Sequence, residues 1–133
     1  EYIRENCLKE KIYLLDAVDY REISKYYLSA DIFLFASTTE TQGMVLLEAM
    51  AGRTPVVAVR SSGIDDIVEN EINGYKTEEE VQEWSEKVLK LMENEELRQE
   101  MGNKARKMAE EYSLRNMAEK AEEVYQRLVS FYC

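Results

Sequence analysis

Ser37–Ala58 reads STTETQGMVLLEAMAGRTPVVA, and the succession of textures in that stretch decides the fold. A polar loop, Ser37–Gln42, gives way to Gly43–Arg53 (GMVLLEAMAGR), a segment of strong helix formers that is expected to be helical. Pro55–Val59 (PVVAV) follows, β-branched and opened by a proline, the pattern of a buried strand. Directly before the loop, Asp31–Ala36 (DIFLFA) is a compact apolar run of strand length. Strand, loop, helix and strand in that order predict a parallel pair joined by a right-handed crossover.

The neighbouring segments extend the pattern. Tyr2–Leu8 reads as the tail of a helix, Lys11–Val18 (KIYLLDAV) as an earlier strand, and Tyr20–Ala30 as a helix with Ile23, Tyr26 and Tyr27 on its apolar face. Ser61–Gly63 is a loop, Ile64–Asn70 a short helix or turn, and Ile72–Lys76 (INGYK) an Asn-Gly turn entering a last short strand. Strands apolar on both alternations predict an α/β fold, a Rossmann-like parallel sheet flanked by helices on both faces. Beyond Thr77 the chain becomes acidic and helical. Glu78–Asn94 places Val81, Trp84, Val88, Leu89 and Met92 on one stripe, Asn94-Glu95-Glu96 marks a break, and Ser113 is an expected N-cap between Glu95–Tyr112 and Ser113–Tyr132. This helical C-terminal tail is expected to pack on the sheet with a solvated outer face. The tyrosines (Tyr2, Tyr13, Tyr20, Tyr26, Tyr27) and the methionines read as core or interface packing.

At 133 residues there is room for one α/β domain. A net charge of −10 opposes binding of nucleic acid and leaves no basic patch for an anionic membrane. No apolar run approaches the ~20 residues of a membrane span, and the polar N-terminus has no secretory pattern. Cys7 and Cys133 are unpatterned, which suggests reduced thiols and a cytoplasmic location, with a single bridge still open. The absence of histidine removes a Ser-His-Asp triad and any His-ligated metal site.

The chemistry concentrates where the loop meets the helix. In open α/β sheets ligands bind beyond the carboxyl ends of the strands, and the amides and positive dipole end of a helix suit a phosphate group. Gly43 lets backbone approach a ligand closely. Two carboxylates, Glu40 in the loop and Glu48 in the helix, bracket this corner with seven residues between them. The five residues from Gly43 to Glu48 span about 7–8 Å of helix. Carboxylates so placed can accept charge-assisted hydrogen bonds from hydroxyls at two ends of a nucleotide sugar. A pair of glutamates at that spacing also arises by chance in helices. Glu48, set among Leu46, Leu47, Ala49 and Met50, is expected to face a cleft, a polar group or water.

Glu40-Thr-Gln-Gly-Met-Val-Leu-Leu-Glu48-Ala-Met-Ala, with Gly52-Arg-Thr-Pro55-Val-Val-Ala after it, resembles the Glu-x7-Glu signature of retaining glycosyltransferases built from two Rossmann-like domains, the GT-B architecture. Ser29-Ala30-Asp31-Ile-Phe-Leu-Phe is similar to the strand before that signature, and Ser62-Gly63-Ile-Asp-Asp-Ile-Val and Asn73-Gly74-Tyr75 to later donor-side loops. The Glu-Thr-Gln-Gly form and the helical tail are similar to the diacylglycerol glucosyltransferase branch. The resemblance implies that residues 1–133 are a partial, C-terminal, nucleotide-sugar-binding domain. Glu40 would contact the transferred sugar, the backbone of Thr41, Gln42, Gly43, Met44 and Val45 would lie against sugar and diphosphate, and Glu48 would hold the ribose. The nucleobase would rest near Ala17 and Val18, although Asp16 stands where relatives often carry glycine. The substrate implied is a nucleoside diphosphate sugar, UDP-linked, with no metal and no further cofactor. An N-terminal strand with its glycine-rich turn, the basic residues that hold the diphosphate and an acceptor-binding N-terminal domain are expected outside these residues. Without them the isolated chain is expected to be inactive, with exposed sheet surface favouring self-association and any membrane contact made by the parts outside it.

Two other classes stay open on the residues alone. One is a non-enzymatic nucleotide-sugar-binding or structural α/β module. The other is a flavodoxin- or receiver-like domain, for which neither an acidic phosphorylation pocket nor an FMN loop is evident.

Overall fold

Apolar residues on both alternations of Pro55–Val59 demand cover on two faces, and the chain supplies it from its helices. The computed structural model describes residues 1–132, the side chain of Tyr132 excepted. In chain order the elements are α1 (Tyr2–Glu5), α2 (Tyr20–Ser29), β1 (Phe33–Phe35), α3 (Met44–Ala51), β2 (Val56–Val59), β3 (Gly74–Thr77), α4 (Val81–Glu93), α5 (Glu95–Glu111) and α6 (Leu114–Tyr132). The strands form one parallel sheet in the order β1-β2-β3, with Phe33 opposite Val56 and Val56 opposite Gly74. All four residues of β2 are buried.

The two faces are distinct. Val56 and Ala58 pack with Leu46, Leu47 and Met50 of α3, with Ile64, Ile67 and Val68 of the following turn, and with Ala105 of α5. Val57 and Tyr75 pack on the other face with Leu91 of α4 and Met101 of α5, joined by Trp84 and Val88. Helix α5 thus serves both faces by passing the amino-terminal end of β2. Its backbone comes closest at Gly102, where an added Cβ would lie 2.2 Å from the Arg53 carbonyl oxygen and 3.5 Å from Pro55 Cδ. Only a residue without a side chain fits that crossing.

Several expectations need correction. Lys11–Val18 is not a strand. A strand exists only where its N–H and C=O groups meet a ladder, and none pairs with this segment among the described residues. Its apolar side chains are open to solvent, with Tyr13 78% and Leu14 82% exposed. Strand β1 keeps one edge unpaired among the described residues. On α4 the buried stripe runs through Trp84, Val88 and the fully buried Leu91, whereas Val81, Leu89 and Met92 face solvent. Spacings of four and three residues put 84, 88 and 91 on one face.

Of the tail, α4 and α5 pack on the sheet, but α6 packs mainly against α5 and is exposed along most of its described length. Among the tyrosines read as packing residues, Tyr2, Tyr13 and Tyr20 are exposed, and so is Tyr26, which leaves Ile23 and Tyr27 as the half-buried face of α2. Tyr27 is half-buried in edge-to-face contact with Phe33, with ring centroids 5.7 Å apart. Met50 and Met101 are core residues; Met44, Met92 and Met117 are not. Ser113 caps α6 as expected, its Oγ accepting from the Asn116 amide at 3.3 Å, and at the expected break Asn94 caps α5, its Oδ1 accepting from the Leu97 amide at 2.9 Å. Cys7 is exposed and has no disulfide among the described residues, and Cys133, the other end of the bridge left open by the sequence, lies outside them.

Gly102→Ala is expected to lower unfolding stability by about 1–3 kcal/mol, because the new methyl meets backbone that has nowhere to go. Urea unfolding of the two proteins measures it, and an unchanged midpoint would show that α5 shifts freely at this crossing.

Candidate functional site

The loops that leave β1 and β2 meet above the carboxyl ends of the strands. Parallel pairing sets Phe35 opposite Ala58, so the two chains exit side by side. The Gly63 amide donates to the Glu40 carbonyl at 3.0 Å, and Ser62 Oγ donates to the same oxygen at 3.4 Å. Both contacts depend on missing side chains. A Cβ on Gly63 would lie 2.5 Å from the Thr41 carbonyl carbon, and one on Gly43 would lie 2.5 Å from the Gly63 oxygen and 2.4 Å from Ile67 Cδ1. Gly43 also has φ +63°, the left-handed region, from which the chain turns into α3.

Glu40 closes this corner on itself. Its Oε1 accepts from the amides of Thr41 at 3.0 Å, Gln42 at 2.8 Å and Gly43 at 2.8 Å. The amides of Gln42 and Gly43 contribute most, burial opposes them, and the Thr41 amide adds the smallest part; together the three amides hold the carboxyl below its ordinary range. A negative charge here also complements the dipole at the start of α3. The next two amides, of Met44 and Val45, have no acceptor among the described residues, as the first turn of a helix requires.

Glu48 lies one turn into α3, half-buried. Its Oε2 accepts a hydrogen bond from the Tyr27 hydroxyl at 3.3 Å, across the contact between α2 and α3. The two carboxylates therefore have different partners: Glu40 takes three amides of its own loop on Oε1, and Glu48 takes one phenol on Oε2, and the second oxygen of each accepts no hydrogen bond among the described residues. Glu48 lies in a hollow of about 370 Å³ lined also by Tyr20, Ile23, Tyr27 and Ala51.

The structure brings Glu40, Thr41, Gln42, Gly43, Met44, Val45 and Glu48 together on one loop and one helix. Ala17 and Val18 stand apart, in the irregular segment before α2, and no hydrogen bond joins them to the loop among the described residues. Sequence reasoning missed the hydroxyl of Tyr27, since helical spacing marks it only as a packing residue. It also missed the contact of Ser62 and Gly63 with Glu40, whose signal was the parallel order of the strands.

The family model described as Glycosyl transferases group 1 matches residues 1–108. The sulfoquinovosyl transferase SQD2 of Arabidopsis thaliana is 37% identical over 98 residues, 71% of this chain and 19% of that protein. Among solved structures, the C-terminal domain of the group 1 family protein LpcC from Francisella tularensis superimposes with a TM-score of 0.77 at 26% identity, over 85% of this chain and 60% of that one. A mutant of S. aureus TarM, in complex with fondaparinux, alpha-GlcNAc-glycerol and UDP, superimposes with a TM-score of 0.75 at 29% identity, over 92% of this chain and 25% of that one. The chain spans between 19% and 34% of the length of the first curated relatives it matches.

Because its folded carboxyl is depressed, Glu40 contributes stability that is present above its ordinary value of 4.5 and is lost as pH falls through the lower folded value. Glu40→Gln keeps an acceptor but removes the charge. The variant is expected to be less stable than the wild type at neutral pH and to converge with it in acid, read by urea unfolding between about pH 3 and pH 7. A stability gap independent of pH would show that the charge on Glu40 is not what the three amides hold.

Proposed function

The chain belongs to the group 1 glycosyl transferases, and from that premise we propose that it is the donor-binding part of a retaining, metal-independent hexosyltransferase. It would use a UDP-linked sugar and deliver the hexose to a lipid or glycan acceptor. The observation that carries this reading is the pairing of Glu40, on a glycine-hinged loop, with Glu48, one turn inside the helix that the loop opens. The family match favours it over a non-enzymatic module, and UDP in the TarM structure supports the choice of nucleotide. The lipid acceptor rests on the likeness of the Glu-Thr-Gln-Gly segment to the diacylglycerol glucosyltransferase branch.

The roles are those the family resemblance implies, and the geometry supports them. Glu48 offers its unpartnered oxygen to ribose hydroxyls, which a carboxylate binds with charge-assisted hydrogen bonds. The diphosphate lies toward the start of α3, where the Met44 and Val45 amides have no acceptor among the described residues and the helix dipole favours negative charge. As the bond from the anomeric carbon to the diphosphate breaks, charge grows on the leaving oxygen, and preformed amides stabilise it without reorganising. Glu40 then leaves its own amides for the sugar, where it orients the hydroxyls and faces the positive charge at the anomeric carbon. The pair is not the acid and nucleophile of a retaining hydrolase, because Glu48 is committed to ribose.

An NMR titration with UDP, GDP and UDP-glucose tests the reading. Saturable shifts are expected to cluster at Gly43–Glu48, to be largest with the uridine ligands and to vanish in Glu48→Ala. Equal shifts with GDP would overturn the uridine assignment, and shifts that survive in Glu48→Ala would place the nucleotide elsewhere.

A further inference from the structure

Tyr27 is held at three points, and its hydroxyl is the only side-chain group that touches Glu48 among the hydrogen bonds of the described residues. Its carbonyl accepts a hydrogen bond from Thr54 Oγ1 at 2.9 Å, and Thr54 is itself fully buried. The Tyr27 backbone also lies against Gly52, where an added Cβ would stand 3.1 Å from the Tyr27 oxygen. Its ring meets Phe33 edge to face at 5.7 Å, and Phe33 stacks in turn on Phe35 at 6.1 Å. Backbone, ring and hydroxyl are thus fixed by α3's carboxyl end, by β1 and by Glu48. A side chain pinned this way has few conformations left, so the hydrogen bond it donates defines where the carboxylate sits rather than following it.

We infer that Tyr27 is a positioning residue, which orients the Glu48 carboxylate so that its free oxygen is presented to the ribose hydroxyls of the donor nucleotide. The inference rests on the donor-site reading given above. A glutamate on a helix has three side-chain torsions to fix, and without a partner its carboxylate samples several orientations. The Tyr27 phenol removes that freedom before the nucleotide arrives. Burial first, and then the Glu48 charge and the hydrogen bond to it, push the phenol above its ordinary range, so it remains a donor throughout the neutral range.

A merely structural tyrosine and a positioning one predict different things for Tyr27→Phe, which keeps the ring and its contact with Phe33. The measurement is the ratio of dissociation constants for 2′,3′-dideoxyuridine diphosphate and UDP, in the wild type, Tyr27→Phe and Glu48→Gln. The wild type is expected to favour UDP by about tenfold or more, the value of a hydrogen bond to a charged group. Tyr27→Phe is expected to reduce that ratio by about fivefold by weakening UDP alone, with the dideoxy nucleotide bound as before. A structural loss would weaken both nucleotides equally and leave the ratio intact. A ratio lost in Glu48→Gln but unchanged in Tyr27→Phe overturns the inference and spares the donor site. A wild type indifferent to the ribose hydroxyls, or a Glu48→Gln protein that keeps the preference, overturns the donor-site reading and this inference with it.

Discussion

The carbonyl oxygen of Glu40 ties two loops into one surface, and the geometry of the site depends on that tie. It accepts from the Gly63 amide and from Ser62 Oγ, so the exits of β1 and β2 are clasped at a single atom. Backbone can approach that closely only where side chains are missing on both sides, which is why glycines face each other at positions 43 and 63. From this clasp the chain turns through a left-handed residue into α3, and the helix then carries Glu48 to Tyr27. Each single hydrogen bond here contributes only about 1 kcal/mol. Their joint effect is positional, because five donors converge on two oxygens of one residue.

The sheet beneath explains why that surface is steady. Strand β2 is buried on every residue, with α3 against one face and α4 against the other. Helix α5 joins the two layers by crossing at Gly102, and it sends Met101 to one core and Ala105 to the other. Helix α3 is therefore packed on one side by the sheet and α5 and on the other by α2, so its amino-terminal end has little freedom to wander.

The loop, the helix and the strand of Ser37–Ala58 were legible because their textures are local: polar, then helix-forming, then β-branched. The two carboxylates stand out in the sequence for the same reason, one in a polar loop and the other in an otherwise apolar helix. What sequence could not supply was partnership. Lys11–Val18 has the composition of a strand, yet a strand is a relation to a neighbour, and that relation does not appear in the order of residues. Leu91 outranks Leu89 and Met92 because helix rotation is set by the sheet, which a stripe of mixed apolar residues leaves ambiguous by one position. The Tyr27–Glu48 hydrogen bond joins residues 21 apart through helix packing, and helical spacing shows only that Tyr27 is on an apolar face.

The three amides that Glu40 fills have a consequence for competition in solution. An anchored carboxylate faces those donors at an effective concentration no dissolved anion of the same strength matches, because it never diffuses away. Chloride, acetate or free phosphate would have to displace it with nothing gained elsewhere. A bulkier ligand that also engages Glu48 gains contacts the small anion lacks, and only such a ligand can offset the exchange. At those three amides the loop is thus already occupied by an anion of its own.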